Sequence, residues 1–240
     1  MNPRLPIALL VIFLVACNKD PDYPVSELIS TAGPIDGVVA NGVERRTLKV
    51  AIHDDPDAPF DVRDVHFSTT TGSWVNDQGV LSTGELVVTV SADDTARAVW
   101  QVSRDTGVVV FTMWIGQQQY ALQQSLRAHR AFPDTLLLGT STLEYDTTNH
   151  SATLNLTLAN DQGAHSLGLP ITYRAWKNEG GAEVEVGNFI TTGYQVTNAG
   201  SAYSNVLDLA TPDIEGGDTI RVRVACGSTT SRTLELFFTD

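Results

Sequence analysis

The sequence predicts an all-β protein: two β-sandwiches in tandem, preceded by a short apolar leader and a tether. Three observations carry this. At 240 residues the chain is long enough for two domains of about 100 residues each. From about residue 32 onward, short segments alternate apolar and polar residues between turn signals. The pattern of the first half also returns in the second, roughly 110 residues later.

The leader comes first. Residues Met1–Ala16 carry one charge, Arg4, and then an apolar run from Leu5 to Ala16. That run is too short to span a bilayer as a helix and has the length of a signal-peptide core. It closes on Leu14-Val15-Ala16-Cys17, which resembles the lipobox of bacterial lipoproteins. The resemblance implies cleavage between Ala16 and Cys17, with acyl chains on the Cys17 thiol and residues 1–16 removed. Two or three acyl chains form a stable anchor, because each buried methylene contributes about 0.8 kcal/mol. Asn18 follows the cysteine, and Lys19-Asp20-Pro21-Asp22 is similar to the signal that sends some Gram-negative lipoproteins across the outer membrane. The expected location is therefore the outer membrane, lipid-anchored, on its surface or its periplasmic face. Residues 17–31, "CNKDPDYPVSELIST", lack periodicity and read as a flexible tether.

Residues 32–130 form the predicted first sandwich. "RRTLKVAIH" puts Leu48, Val50 and Ile52 on one face, "RDVHFST" pairs Val65 with Phe67, and "ELVVTV" offers Leu86, Val88 and Val90. "TARAVWQVS" alternates, and "GVVVFTMWI" reads as a fully covered central strand. The segment "QQQYALQQSLRAHRAF" is rich in helix formers. Leu122 and Leu126 nonetheless keep even spacing after the turn at Gly116, so a final strand is predicted there. Residues 131–240 form the second sandwich, split from the first near Phe132-Pro133. "SATLNLTLANDQG" answers "RRTLKVAIHDDPD", and "LPITYRAW" answers "VRDVHFSTT". The stretch from Val196 to Gly227 follows that from Val90 to Gly116 element by element. Cys226 has no partner once Cys17 is acylated and sits in an alternating segment, which suits a small buried residue.

Several of these stretches resemble the bacterial immunoglobulin-like (Ig-like) domains of invasin and intimin type. Asn41-Gly42 stands where that family has an Asp-Gly turn before its second strand. Phe67–Gly72 matches its third-strand motif, and Ala92-Asp93-Asp94-Thr95-Ala96 its late turn, with Thr95 in place of the usual glycine. In the second half, Asn198–Ala202 and Ile171–Ala175 keep the turn and the strand. The resemblance implies two tandem Ig-like sandwiches serving in adhesion or as a rod-like spacer, without catalysis.

Composition narrows the partners. Fifteen Lys and Arg against 28 Asp and Glu give a net charge of −13, which disfavours nucleic acid and anionic lipid. No nucleophile elbow, phosphate loop, dinucleotide fingerprint or His-Glu-x-x-His pattern is present, so no enzyme and no resident cofactor is expected. Two candidate sites remain. Asp54, Asp55 and Asp57, with Asp61 and Asp64 nearby, supply the oxygens a calcium ion takes, though a rigid solvated loop is the competing reading. Trp74, in the turn-like "TGSWVNDQG", is a candidate stacking platform for a sugar, against a role in packing. On the second view the protein is an accessory glycan-binding lipoprotein of a nutrient uptake system. Trp100 and Trp114 read as core, and Trp176 fits either role. The protein or glycan ligand is not specified by the sequence.

Overall fold

The structure is a computed structural model that describes residues 28–31, 36–53, 63–90, 92–116, 121–227 and 230–240. The first sandwich contains β1 (Ile29–Thr31), β2 (Val38–Ala40), β3 (Arg45–Ile52), β4 (Asp64–Thr69) and β5 (Ser73–Val75). It continues through β6 (Leu81–Ser82), β7 (Leu86–Thr89), β8 (Thr95–Gln101), β9 (Gly107–Ile115) and β10 (Leu122–Arg130). One sheet runs β1-β3-β8-β5-β6 and the facing sheet β2-β10-β9-β4-β7.

The second sandwich opens with β11 (Thr135–Gly139), β12 (Glu144–Tyr145), β13 (Ser151–Ala159), β14 (Pro170–Glu179) and β15 (Ala182–Glu185). It closes with β16 (Asn188–Phe189), β17 (Tyr194–Val196), β18 (Ala202–Asp208), β19 (Thr219–Cys226) and β20 (Thr230–Phe238). Its sheets run β11-β13-β18-β16 and β12-β20-β19-β14-β15, with β17 also on β14.

The two units share a topology. In each, the leading strand pairs antiparallel in one sheet and its continuation pairs parallel to the last strand of the other. So β1 lies on β3 and β2 on β10, while β11 lies on β13 and β12 on β20. The sequence repeats fall at equivalent places: β3 with β13, β4 with β14, β8 with β18 and β9 with β19.

Alternation fills the cores. β13 runs exposed-buried through all nine residues, sending Ala152, Leu154, Leu156 and Leu158 inward. The first core is aromatic: Trp100 meets Phe111 edge-on at 5.0 Å between ring centres, and Phe67 meets Trp74 at 5.8 Å. Gly72 makes room for this cluster. Its φ is +85°, and a Cβ there would lie 2.3 Å from Trp100 Nε1. That indole N–H donates to Thr71 O at 2.9 Å. The second core is mostly aliphatic, and Cys226 is a fully buried free thiol within it.

The tether assigned to 17–31 is corrected at its end. Leu28 and Ile29 are fully buried in the first core, and Ile29–Thr31 pairs with Val50–Ile52. Two adjacent large apolar residues bury more favourably against the sheet than they hydrate. The helix-prone stretch is strand β10 over Leu122–Arg130, held by its ladder to β9 and by inward Leu126 and Ala128.

Candidate functional site at the junction of the sandwiches

The residues singled out from sequence scatter. Ala16 and Cys17 lie outside the described residues, as do Asp54, Asp55 and Asp57. Among the described residues, no three His, Cys, Asp or Glu side chains gather as metal ligands. Trp74 is corrected: it has no exposed surface. It sits in β5 opposite Trp100, and its indole N–H donates to Gly84 O at 2.9 Å. A ring enclosed on both faces offers no platform to a sugar. Trp114 is buried outside the first core, stacked on His66 with ring centres 5.3 Å apart, and His66 bonds Glu85. Trp176 is buried outside the second core, with the Arg174 guanidinium 5.2 Å over its ring.

What the structure does build is a polar seam between the sandwiches. The loop between β13 and β14, residues 160–169, enters the end of the first sandwich and meets three of its turns. At the turn after β2, Ala164 N–H donates to Asn41 O at 2.9 Å, and Asn41 Nδ2 donates to Gln162 O at 2.7 Å. Asn41 Oδ1 meanwhile accepts from Val43 and Glu44 N–H, which fixes the turn itself. At the turn after β8, Leu167 N–H donates to Arg104 O at 3.0 Å, and Arg104 Nε returns a bond to His165 O at 2.7 Å. The same guanidinium reaches Ala199 O at 2.8 Å and Asn198 O at 3.1 Å. At the end of β10, Ser166 and Ala131 exchange bonds, and Ser166 Oγ donates to Ala40 O at 2.8 Å.

Sterics tighten the seam. Gly163 has φ +121°, and a Cβ there would fall 2.5 Å from Val43 Cγ2 and 2.8 Å from Asn41 O. Burial concentrates there as well. Five polar side chains are buried among the described residues, and Asn41, His165, Ser166 and Thr197 belong to the seam or its backing. Thr197 Oγ1 donates to Ser166 O and accepts from Leu169 N–H, so the inserted loop is braced from behind. Each of the four is hydrogen-bonded, as burial demands.

His165 is 2% exposed, with Nε2 3.1 Å from Tyr203 OH. Burial and then the nearby Arg104 cation lower its pKa, so the ring is neutral at neutral pH. Burial raises the pKa of Tyr203. The arrangement contains no nucleophile–base pair. Chemically it fixes orientation: many directional bonds across one interface define a single relative pose of the two units. Beside it opens a crevice of about 730 Å³ lined by residues of both units, including Val39, Val43, Phe132 and Gln162. Glu44 Oε2 accepts from Val39 N–H at 2.7 Å, capping the outer edge of β2 against strand addition.

Comparison with solved structures fits the fold. Over 89% of this chain the structure matches the Yersinia pseudotuberculosis adhesin InvE, with 15% identity and a TM-score of 0.60. It also matches invasin, described as a bacterial integrin-binding protein, over 88% of this chain with 20% identity and a TM-score of 0.57. The matches span 60% and 39% of those two chains. No protein-family model matches, and no curated protein matches either. The fold is the Ig-like sandwich fold found in these adhesins, in tandem.

Sequence reasoning missed Arg104, Ser166, Thr197 and the second role of Asn41. Asn41-Gly42 was legible as a turn, but nothing in the linear pattern joins it to Gln162.

Proposed function

We propose that this is a lipid-anchored bacterial envelope protein, held in the outer membrane by acyl chains on Cys17. Its two sandwiches act as a stiff, non-catalytic spacer or adhesion module. The observation that carries this reading is the seam: the tight, directional bonding through Asn41, Arg104 and Ser166 suits a unit that must hold a shape. The likeness to an adhesin and to an integrin-binding protein supports display at the cell surface. The leader and lipobox supply the route there. The glycan-binding alternative rested on Trp74, and that residue is core.

Two experiments test the reading. Labelled palmitate should enter the wild-type chain and not the Cys17→Ala variant. Protease added to intact cells should remove the chain. Protection until permeabilisation would instead place it on the periplasmic face and end the adhesion reading.

A further inference from the structure

Eleven arginines lie within the described residues, and nine of them hold a carboxylate, an amide or hydroxyl oxygen, or a backbone carbonyl. Among the described residues, the side chains of Arg127 and Arg130 have no hydrogen-bond or ion-pair partner. Both are exposed near the end of β10, with exposed His129 between them. On a chain of net charge −13 they stand as exposed cations with no acidic partner among the described residues. The three side chains instead share a crevice of about 480 Å³ whose lining also includes Thr106, Gly107 and Phe132 and holds no acid.

We propose that this crevice binds the carboxylate or sulfate groups of an anionic polysaccharide. Arg127 and His129 are two residues apart on one face of a strand, about 7 Å along it, and Arg130, of the opposite parity at the strand end, lines the same crevice. Such a cluster presents separate donors to successive anionic groups of an extended polymer, with the two arginine forks suited to planar carboxylates and to sulfate. A peptide adding as a strand is closed off here. Ala128–Arg130 is already paired with Val38–Ala40, and Leu122–Ala128 with Gly107–Met113. Side chains alone therefore do the recognising. Asp36 and Asp105 are exposed on neighbouring turns. Glu44 and Asp134 line the adjoining crevice together with Arg130, and acids farther off are damped by screening, whose length is about 14 Å at about 50 mM salt.

The test uses the full-length chain in detergent, immobilised, against dextran sulfate, polygalacturonate, poly-L-glutamate and uncharged dextran. At about 50 mM salt one or both anionic polysaccharides should bind, and at about 500 mM binding should vanish. Sulfate and carboxylate preference follow from which of the two binds. Arg127→Glu and Arg130→Glu should each weaken binding about ten-fold or more. Arg127→Lys should retain part of it. Lys49→Glu makes the same change of charge at an exposed position on the opposite sheet and should leave binding intact. Equal loss in Lys49→Glu would show a net-charge effect and overturn the proposal. Failure of both polysaccharides to bind would also overturn it, as would equal binding of poly-L-glutamate, which would point to an acidic peptide instead.

Discussion

Replacing Arg104 by alanine should unlock the seam without unfolding either sandwich. The side chain donates to His165 O at 2.7 Å, Ala199 O at 2.8 Å and Asn198 O at 3.1 Å. A hydrogen bond involving a charged group contributes about 1.5–3 kcal/mol, but the two Nη bonds are exposed and deserve less. A total of about 2–4 kcal/mol follows, which is about a 30- to 900-fold rise in the open fraction of the junction. Backbone amide exchange reads this directly, because Ala164 and Leu167 N–H bond across the seam to Asn41 O and Arg104 O, and Ser166 N–H bonds Ala131 O just past the end of β10. Their protection should fall by that factor, while amides in β9 and β19 exchange as before. Gly163→Ala should act alike by steric pressure on Val43 and Asn41 O. Unchanged protection of residues 164–167 in both variants would refute the account of the seam. So would uniform loss across the second sandwich, which would make Arg104 a folding residue instead.

Three further outcomes follow from the same geometry. Trp74→Ala should cost about 3–5 kcal/mol in denaturant unfolding, and Trp74→Phe about 1–2 kcal/mol, since the latter loses mainly the bond to Gly84 O. A Trp74→Ala variant with unaltered stability would show that the indole is not core. Acidification should weaken the chain through His165, whose folded pKa lies below its unfolded value of 6.5. The unfolded state takes up the proton first, so this stability is complete above about pH 6.5 and is lost as pH falls. Urea unfolding at about pH 7.5 and 5.5 should show the drop in wild type and a flatter response in His165→Gln. Asp146 and Asp208 are held below their usual 3.8 by backbone N–H groups of Asn149 and Ala210, so their losses come only at more acidic pH. Finally, burial pushes the Cys226 thiol up to about 11. In a Cys17→Ala background, a thiol reagent at pH 8 should label nothing until denaturant is added, and labelling of the folded chain would contradict the packing.

How much was legible in the sequence depended on whether a residue's neighbours are set by period. Leu154, Leu156 and Leu158 announce their face because strand alternation is a local rule, and β13 is long enough to display it. Trp74 stood open between packing and a platform because β5 has three residues, too few for alternation to emerge from the turn chemistry around it. Its burial is decided by pairing with Trp100 on β8. Leu28 and Ile29 were lost for a similar reason, as a single apolar pair behind prolines and charges. The helix propensity of "ALQQSLRAHR" was overruled by cross-strand pairing, which is the usual fate of propensity in a long sheet.

The seam was illegible for a deeper reason. It consists of single polar residues in turns, and turns carry no period. Arg104 and His165 are 61 residues apart, and Ser166 and Ala40 are 126 apart. An apolar contact of the same area could slide, because burial is indifferent to direction. Hydrogen bonds are not, and buried ones leave costly unpaired groups in any other pose. Joining the sandwiches through Asn41, Arg104 and Ser166 therefore selects one orientation over its neighbours. Each sandwich keeps its own core, 28–128 in one and 136–238 in the other, so stiffness and folding rest on different residues. That separation is what makes a spacer testable: Arg104→Ala should shorten the reach of a displayed chain while leaving its display on the cell unchanged.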